Sequence, residues 1–277
     1  MNDTVQPQLL EYPLHADVRA FSTQRDGGVG QGNYATFNLT HYCGDHPHNV
    51  ARHRAALCRV LGIADEALHL PHQTHGTGVL KIDAAHLSRS ADEQAQRMHG
   101  IDALITDMHH QCIGVSTADC IPVLLYDPTH HAIAAIHAGW RGTVADIVGC
   151  TIRAMKKHYG TQCHQLRAVI GPGIGVEAFE VGDEVYEAFT KAGFPMEQIA
   201  RRMPCYANTD AYHTSFPSEK WHIDLWAANA HLLETAGLPL QHIMVSGICT
   251  HTYYETYFSA RRLGIKSGRI FTGIMLR

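Results

Sequence analysis

A chain of 277 residues is long enough for one large domain or two small ones, and 45% hydrophobic with 17% charged residues is an ordinary globular balance. The net charge of -4, with no Lys/Arg run longer than two, argues against a nucleic acid polymer as partner. MNDTVQPQLLEYPLH lacks the basic start and apolar run of a secretory signal, and no stretch of about 18 apolar residues could span a membrane. Eight cysteines without a C-x-x-C pair read as reduced thiols, so the expected compartment is cytoplasmic. The chain holds 22 histidines, but pairs such as His109-His110 and His130-His131 lie in turn-like segments and read as solvated loop residues.

In chain order, residues 18–24 read as a strand, followed by the Gly-rich turn Arg25-Asp26-Gly27-Gly28-Val29-Gly30. His48 to Leu61 has apolar residues at helical spacing, with Gly62 as its stop. The runs 101–106, 112–117, 121–126 and 132–137 are apolar throughout and predict adjacent buried strands. A single helix is expected from Thr143 to about Tyr159, capped by Thr143 with Asp146 three residues on. A strand at 167–170, helices at 183–191 and 224–236, and strands at 243–248 and 269–276 complete the pattern. No linker or repeat divides the sequence, so residues 1–277 read as a single domain. The mixture of elements without clean βαβ alternation favours an α+β layered fold.

Several familiar sites are absent. Gly171-Pro172-Gly173-Ile174-Gly175 has Val176 where a dinucleotide fingerprint needs its third Gly, and Pro172 removes a backbone donor. There is no G-x-S-x-G, H-E-x-x-H or P-loop. The zinc nucleobase deaminases need P-C-x-x-C, and Pro204-Cys205 is followed by Asn208 at the second cysteine position.

Three segments remain that place metal-competent side chains among Gly and Pro where strands end: Pro71 to Gly76, Thr117 to Pro122 and Ile136 to Gly142. His75, Cys120 and His137 are far enough apart that only the fold could assemble them. Imidazole and thiolate suit zinc, and three protein ligands leave a fourth position open. On spacing alone, Cys120 is equally readable as a small core hydrophobe and His137 as a buried, hydrogen-bonded histidine.

The same segments resemble the signature of the YfiH family, the polyphenol oxidase or laccase-domain proteins also described as purine nucleoside phosphorylases. The matching phrases include FSTQRDGGVGQGNYATFNL, HQTHGTGV, IDALITD, VSTADCIPVLLYDP, AAIHAGWRGTV, IGPGIGVEAFEVGDEV, HIDLWAAN, SGICT, FSARR and GRIFTGIML, in order from Phe21 to Leu276. The family usually has Val where Thr74 stands and FSTR where this chain has FSTQR, which offsets the register of Arg25. The resemblance implies a four-layer α/β/β/α fold with mixed β-sheets. It also implies zinc on His75, Cys120 and His137, with copper as a substitute metal.

The implied function is phosphorolysis of purine nucleosides (adenosine, inosine and methylthioadenosine) to free base and pentose 1-phosphate, with deamination of adenosine. Zinc with an open position can activate water for the deamination. Phosphate needs an anion site. Arg141 stands two residues before the expected helix N-terminus, and Arg25 and Arg261 are further candidates. Asn38, His72 and Phe258 complete the candidate substrate pocket, His72 alternatively orienting a metal ligand, and Asp119 is a candidate catalytic group beside Cys120. Asp119 could also bond backbone donors in its turn. Two rivals stay open: a cysteine hydrolase using Cys120 and His137, and a copper-dependent phenol oxidase, for which His46-Pro47-His48 is the sole His-x-His pair. A monomer or weak homodimer is expected.

Overall fold

The computed structural model describes residues 5–204 and 219–277. From the N-terminus run β1 (Leu9–Tyr12), β2 (Val18–Thr23), α1 (Pro47–Leu61), β3 (Leu68–His69), β4 (Val79–Lys81), α2 (Ala84–Leu87) and α3 (Ala91–Arg97). The central strands are β5 (Ala103–Thr106), β6 (Cys112–Thr117), β7 (Ile121–Asp127) and β8 (Ala132–Ala138). They lead into α4 (Trp140–Val144), α5 (Ile147–Tyr159), β9 (Arg167–Ile170), β10 (Glu180–Val181), α6 (Asp183–Lys191) and α7 (Met196–Ile199). The last elements are β11 (Ala200–Pro204), β12 (Glu219–Ile223), α8 (Leu225–Thr235), β13 (Ile243–Val245), α9 (Ala260–Leu263) and β14 (Ile270–Leu276).

Two mixed sheets lie face to face, one of six strands in the order β13-β9-β7-β8-β5-β4 and one of five in the order β1-β2-β14-β6-β3. Alternation along the strands builds the layers. Ile121, Val123 and Leu125 of β7 point to α5, α6 and α8, meeting Ile152, Phe189 and Leu233. Leu124 and Tyr126 point the other way, against Ile113, Val115 and Ile274 of the five-stranded sheet. The outer face of that sheet packs Phe21 and Phe271 on Ala56, Leu57 and Leu61 of α1. The architecture is therefore α/β/β/α. It explains the unbroken apolar runs: strands covered on both faces have no side to leave polar.

Three expectations are corrected. The run 112–117 does not neighbour 103–106, 121–127 and 132–138; it crosses to the second sheet, where β6 pairs with β14. Both sheets are buried on both sides, so composition could not separate them. The helix expected from Thr143 to Tyr159 is two helices. Asp146 breaks it, adopting a left-handed φ of 60° and capping α5 by accepting from the Gly149 amide at 2.9 Å. The strand expected at 243–248 ends at Val245, ahead of Gly247 in the left-handed region. A third, small sheet of β10, β12 and β11 was not foreseen. Cys205 and Asn208 lie outside the described residues.

Asp146→Ala should cost about 1–2 kcal/mol, through the lost cap and the retained left-handed backbone, whereas Asp146→Gly should cost less because glycine adopts that φ freely. Urea denaturation of the two variants checks the order.

Candidate functional site

Strand register brings the singled-out segments to one end of the six-stranded sheet. In the antiparallel β7–β8 pair, Ile121 faces Ala138 and Pro122 faces His137, so Cys120, just before β7, arrives beside the end of β8. The antiparallel β5–β8 pair sets Ala103 opposite Ile136, which places Asp102 next to His137. Parallel pairing of β4 with β5, Val79 against Ala103, brings the preceding turn at residues 75–78 to the same edge.

The donor atoms of His75, Cys120 and His137 all lie within 4.8 Å of one another, and among the described residues no other group of three or more His, Cys, Asp or Glu is so placed. His137 is buried, Cys120 half-buried and His75 exposed, so the cluster is closed on the sheet side and open to solvent on the other. Gly139, which caps α4, is what makes room for it. A Cβ there would lie 2.9 Å from Cδ2 of His75 and 3.0 Å from Sγ of Cys120. Two nitrogens and a sulfur around one point, with an open side, fit a borderline-soft metal ion with a free coordination position.

Asp102, in the phrase IDALITD, carries no motif of its own, yet it organises the cluster. It is wholly buried, and Oδ1 accepts from Nδ1 of His137 at 2.7 Å and from the His75 amide at 2.9 Å. Its Oδ2 accepts from the amides of Gly76 at 2.8 Å and Thr74 at 3.2 Å. Burial works against this carboxylate, but the bonds from His137 and from the turn hold its pKa below the usual range. Because Nδ1 of His137 is engaged, Nε2 is the nitrogen left for the cluster. Burial likewise opposes the Cys120 thiolate; the imidazoles of His137 and His75 outweigh it and bring the thiol down, while Cys120 and Asp102 together raise His137 against its own burial. The one signal for Asp102 in the sequence is a carboxylate directly preceding an apolar strand, where burial demands a partner.

The turn carrying His75 is held from two sides. Gln73, also missed, exchanges hydrogen bonds with the backbone of Ser116 at 2.7 and 2.8 Å, docking the turn on β6. His75 itself adopts φ 63°, and Asp119, beside Cys120, φ 86°. Such left-handed non-glycine residues cost energy that the surrounding bonds must offset, and they concentrate at functional sites.

The remaining candidates divide. The Asp119 carboxylate accepts from the Thr250 hydroxyl and the Arg261 amide, both at 2.7 Å, tying those loops to the Cys120 turn. Arg141 lies within the first turn of α4 rather than before a helix; it is exposed and rests on the Trp140 ring at 4.3 Å, with no hydrogen bond or ion pair of its guanidinium among the described residues. Arg261 donates to the Glu180 carbonyl. The Arg25 guanidinium is spent on the carbonyls of Ala35 and Tyr254 and stacks on Phe258, which is itself fully buried. Asn38 is buried and bonded to Asp45 and Thr40. His72 does not join the cluster; its ring stacks on Tyr42 and meets His99. His46, of the sole His-x-His pair, caps α1 by accepting from the His48 amide.

Residues 19–277 match the family described as multi-copper polyphenol oxidoreductase laccase. The chain belongs to this family. A relative named purine nucleoside phosphorylase, from Bacteroides thetaiotaomicron, is 46% identical over 262 residues, covering 95% of this chain and 93% of its own. Another, named adenosine deaminase RL5 and from an unknown prokaryotic organism, is 41% identical over 257 residues, covering 93% of each. Among solved structures, the hypothetical protein YfiH of Bacillus licheniformis aligns with a TM-score of 0.86 at 26% identity, over 98% of this chain and 97% of that one. NMB0706 of Neisseria meningitidis aligns at 0.79 with 30% identity, over 98% and 99%. This laccase-domain protein thus has the fold and family that its motifs implied, and no helix of its described residues is long and apolar enough to cross a membrane.

Asp102→Asn keeps the shape of the side chain but removes the charge that orients His137, so affinity for a divalent metal ion should fall about 10- to 100-fold. Gly139→Ala should weaken it as well, by forcing His75 or Cys120 to shift. Chelator competition on the folded variants measures both, and wild-type affinity in Asp102→Asn would show that the carboxylate serves the fold alone.

Proposed function

We propose that this chain is a zinc-dependent purine nucleoside phosphorylase that also deaminates adenosine, with His75, Cys120 and His137 holding the metal. The observation that carries the reading is the convergence of these three side chains, from segments far apart in sequence, on one half-open point with His137 oriented by Asp102. The names of the relatives supply the substrate class: one is named a purine nucleoside phosphorylase and another an adenosine deaminase. When bound, zinc supplies Lewis acidity at an open coordination position.

The protein groups take up the other tasks. Phosphorolysis needs a cation for a phosphate dianion, and Arg141 suits it: it is exposed, its guanidinium makes no hydrogen bond among the described residues, and it sits two residues beyond Gly139. Arg25 is a poorer candidate, because desolvation and two carbonyls already hold it. Asp119 acts here as a positioning residue that keeps the Cys120 turn and the Arg261 segment together. Asp102 keeps His137 in one tautomer.

A second reading has one observation in its favour. Asp102, His137 and Cys120 stand in the order of an acid–imidazole–thiol triad, in which His137 would take the thiol proton. The exposed His75 at the same point favours the metal, since a triad has no use for it and a ligated thiolate is not free to attack. For a multicopper oxidase, the one three-residue cluster among the described residues offers too few ligands.

The purified protein should contain about one zinc per chain, and His75→Ala, Cys120→Ala or His137→Ala should each remove most of it; full retention in Cys120→Ala, by elemental analysis, would revive the triad. Adenosine cleavage should require phosphate and yield ribose 1-phosphate, whereas deamination should proceed without it. Arg141→Ala should lower phosphorolysis roughly 30- to 150-fold, the loss of one charge-assisted contact, and deamination much less. Product analysis with and without phosphate reads both, and equal losses would place Arg141 in the scaffold.

A further inference from the structure

Outside the cluster, two histidines, His72 and His99, are held side by side. Nδ1 of His72 and Nδ1 of His99 lie 3.2 Å apart, with ring centres 4.7 Å apart and planes at 88°. The positions are braced by backbone. The two residues form a parallel bridge, the His72 amide donates to the Met98 carbonyl at 3.0 Å, and the Gly100 amide donates to the His72 carbonyl at 2.9 Å. The His72 ring is further fixed by stacking on Tyr42, 4.4 Å between centres and 19° between planes. Tyr42 in turn donates from its hydroxyl to the Gln73 side chain. His99 is exposed and His72 half-buried, so the pair is open to solvent.

The separations distinguish two arrangements. Imidazoles aimed head-on along a straight N–H···N bond would hold their ring centres about 5.5 Å apart at this nitrogen distance. Imidazoles converging on a common ion, each with a bond of about 2.0–2.1 Å, would hold the nitrogens about 3.0–3.3 Å and the ring centres about 4.7–5.2 Å apart. The observed 3.2 Å and 4.7 Å lie nearer the converging arrangement than the head-on one. We propose that His72 and His99 form a second metal site, a bidentate imidazole pair that takes a divalent transition ion such as copper(II), separate from the His75–Cys120–His137 cluster.

The ligand type sets the class of ion. Two imidazoles and solvent attract first-row divalent ions in an order that peaks at copper(II), and leave calcium and magnesium, which prefer oxygen, unbound. Burial, with His99 nearby, lowers the pKa of His72, which keeps the ring neutral and able to ligate near neutral pH. An ion here also joins the strand end that begins the His75 turn to the segment after α3, so binding should stabilise the folded chain in proportion to its affinity. The site does not depend on the reading of the first cluster as a zinc centre.

The test uses a His75→Ala/Cys120→Ala protein, in which His137 alone survives of the first cluster, titrated with copper(II). One equivalent should bind with an electron paramagnetic resonance spectrum showing two equatorial nitrogens, and should raise the thermal midpoint. Adding His99→Ala or His72→Ala should weaken that equivalent at least about 30-fold and abolish the rise in midpoint. Should the double variant not fold, zinc-loaded protein and its His99→Ala variant give the same comparison, because His99 is exposed and outside the first cluster. Unchanged copper affinity in the His99→Ala and His72→Ala proteins would overturn the proposal and assign the copper to other histidines, such as His109-His110.

Discussion

The candidate site depends on a buried negative charge. The Asp102 carboxylate has no contact with solvent, so it is stable only while its oxygens are bonded, and the bonds it collects are those that define the site: the imidazole of His137 and three successive amides of the His75 turn. One anion thereby sets the tautomer of one candidate ligand and the left-handed backbone of another. Cys120 is placed independently, by the register of β7 against β8. The arrangement is preformed by protein bonds alone, the condition under which an open site can bind an ion without reorganising.

The sheets make this possible by being covered on both faces. Helices and a second sheet enclose the six-stranded sheet, so its strands cannot slip without moving apolar rows out of both cores. Fixed register means fixed strand ends, and the candidate residues sit at the strand ends or just beyond them. The asymmetry in burial has the same origin: His137 lies inside β8, whereas His75 stands on a turn beyond the sheet edge. Left-handed non-glycine residues stand in turns next to strands, at His75 and Asp119, and between two helices, at Asp146. The first belongs to the cluster, the second adjoins Cys120, and the third separates the short helix carrying Arg141 from the long helix that closes the core.

The arginines show how differently similar residues are used. Arg25 sits in a Gly-rich loop that suggests an anion cradle, yet its guanidinium bonds carbonyls on two segments and covers the Phe258 ring. It holds the loop and a distant turn together. Arg141, in a less suggestive context, rests on the Trp140 ring and makes no guanidinium hydrogen bond or ion pair among the described residues. Asn38 and Phe258, like Arg25, lie inside matching phrases, and both are buried. A phrase shared with a family marks the whole constellation, scaffold and chemistry together.

Local pattern therefore determined a definite part of this protein. Apolar runs bounded by turn residues located most strands, helical spacing with Gly62 or Gly160 beyond the last turn located helix ends, and the shared phrases led to the family, the layered fold and the three convergent side chains. Those features depend on neighbours in the chain or on motifs that can be read whole. What only the tertiary structure decided depends on partners far away. It assigned 112–117 to the second sheet, because a strand buried on both faces looks the same in either. It made Asp102 the organising group, because that role exists only once His137, 35 residues on, is folded against it. It bound the Arg25 guanidinium to carbonyls and left Arg141 exposed, and it set His72 beside His99, because what a side chain touches is fixed by packing rather than by its neighbours in sequence.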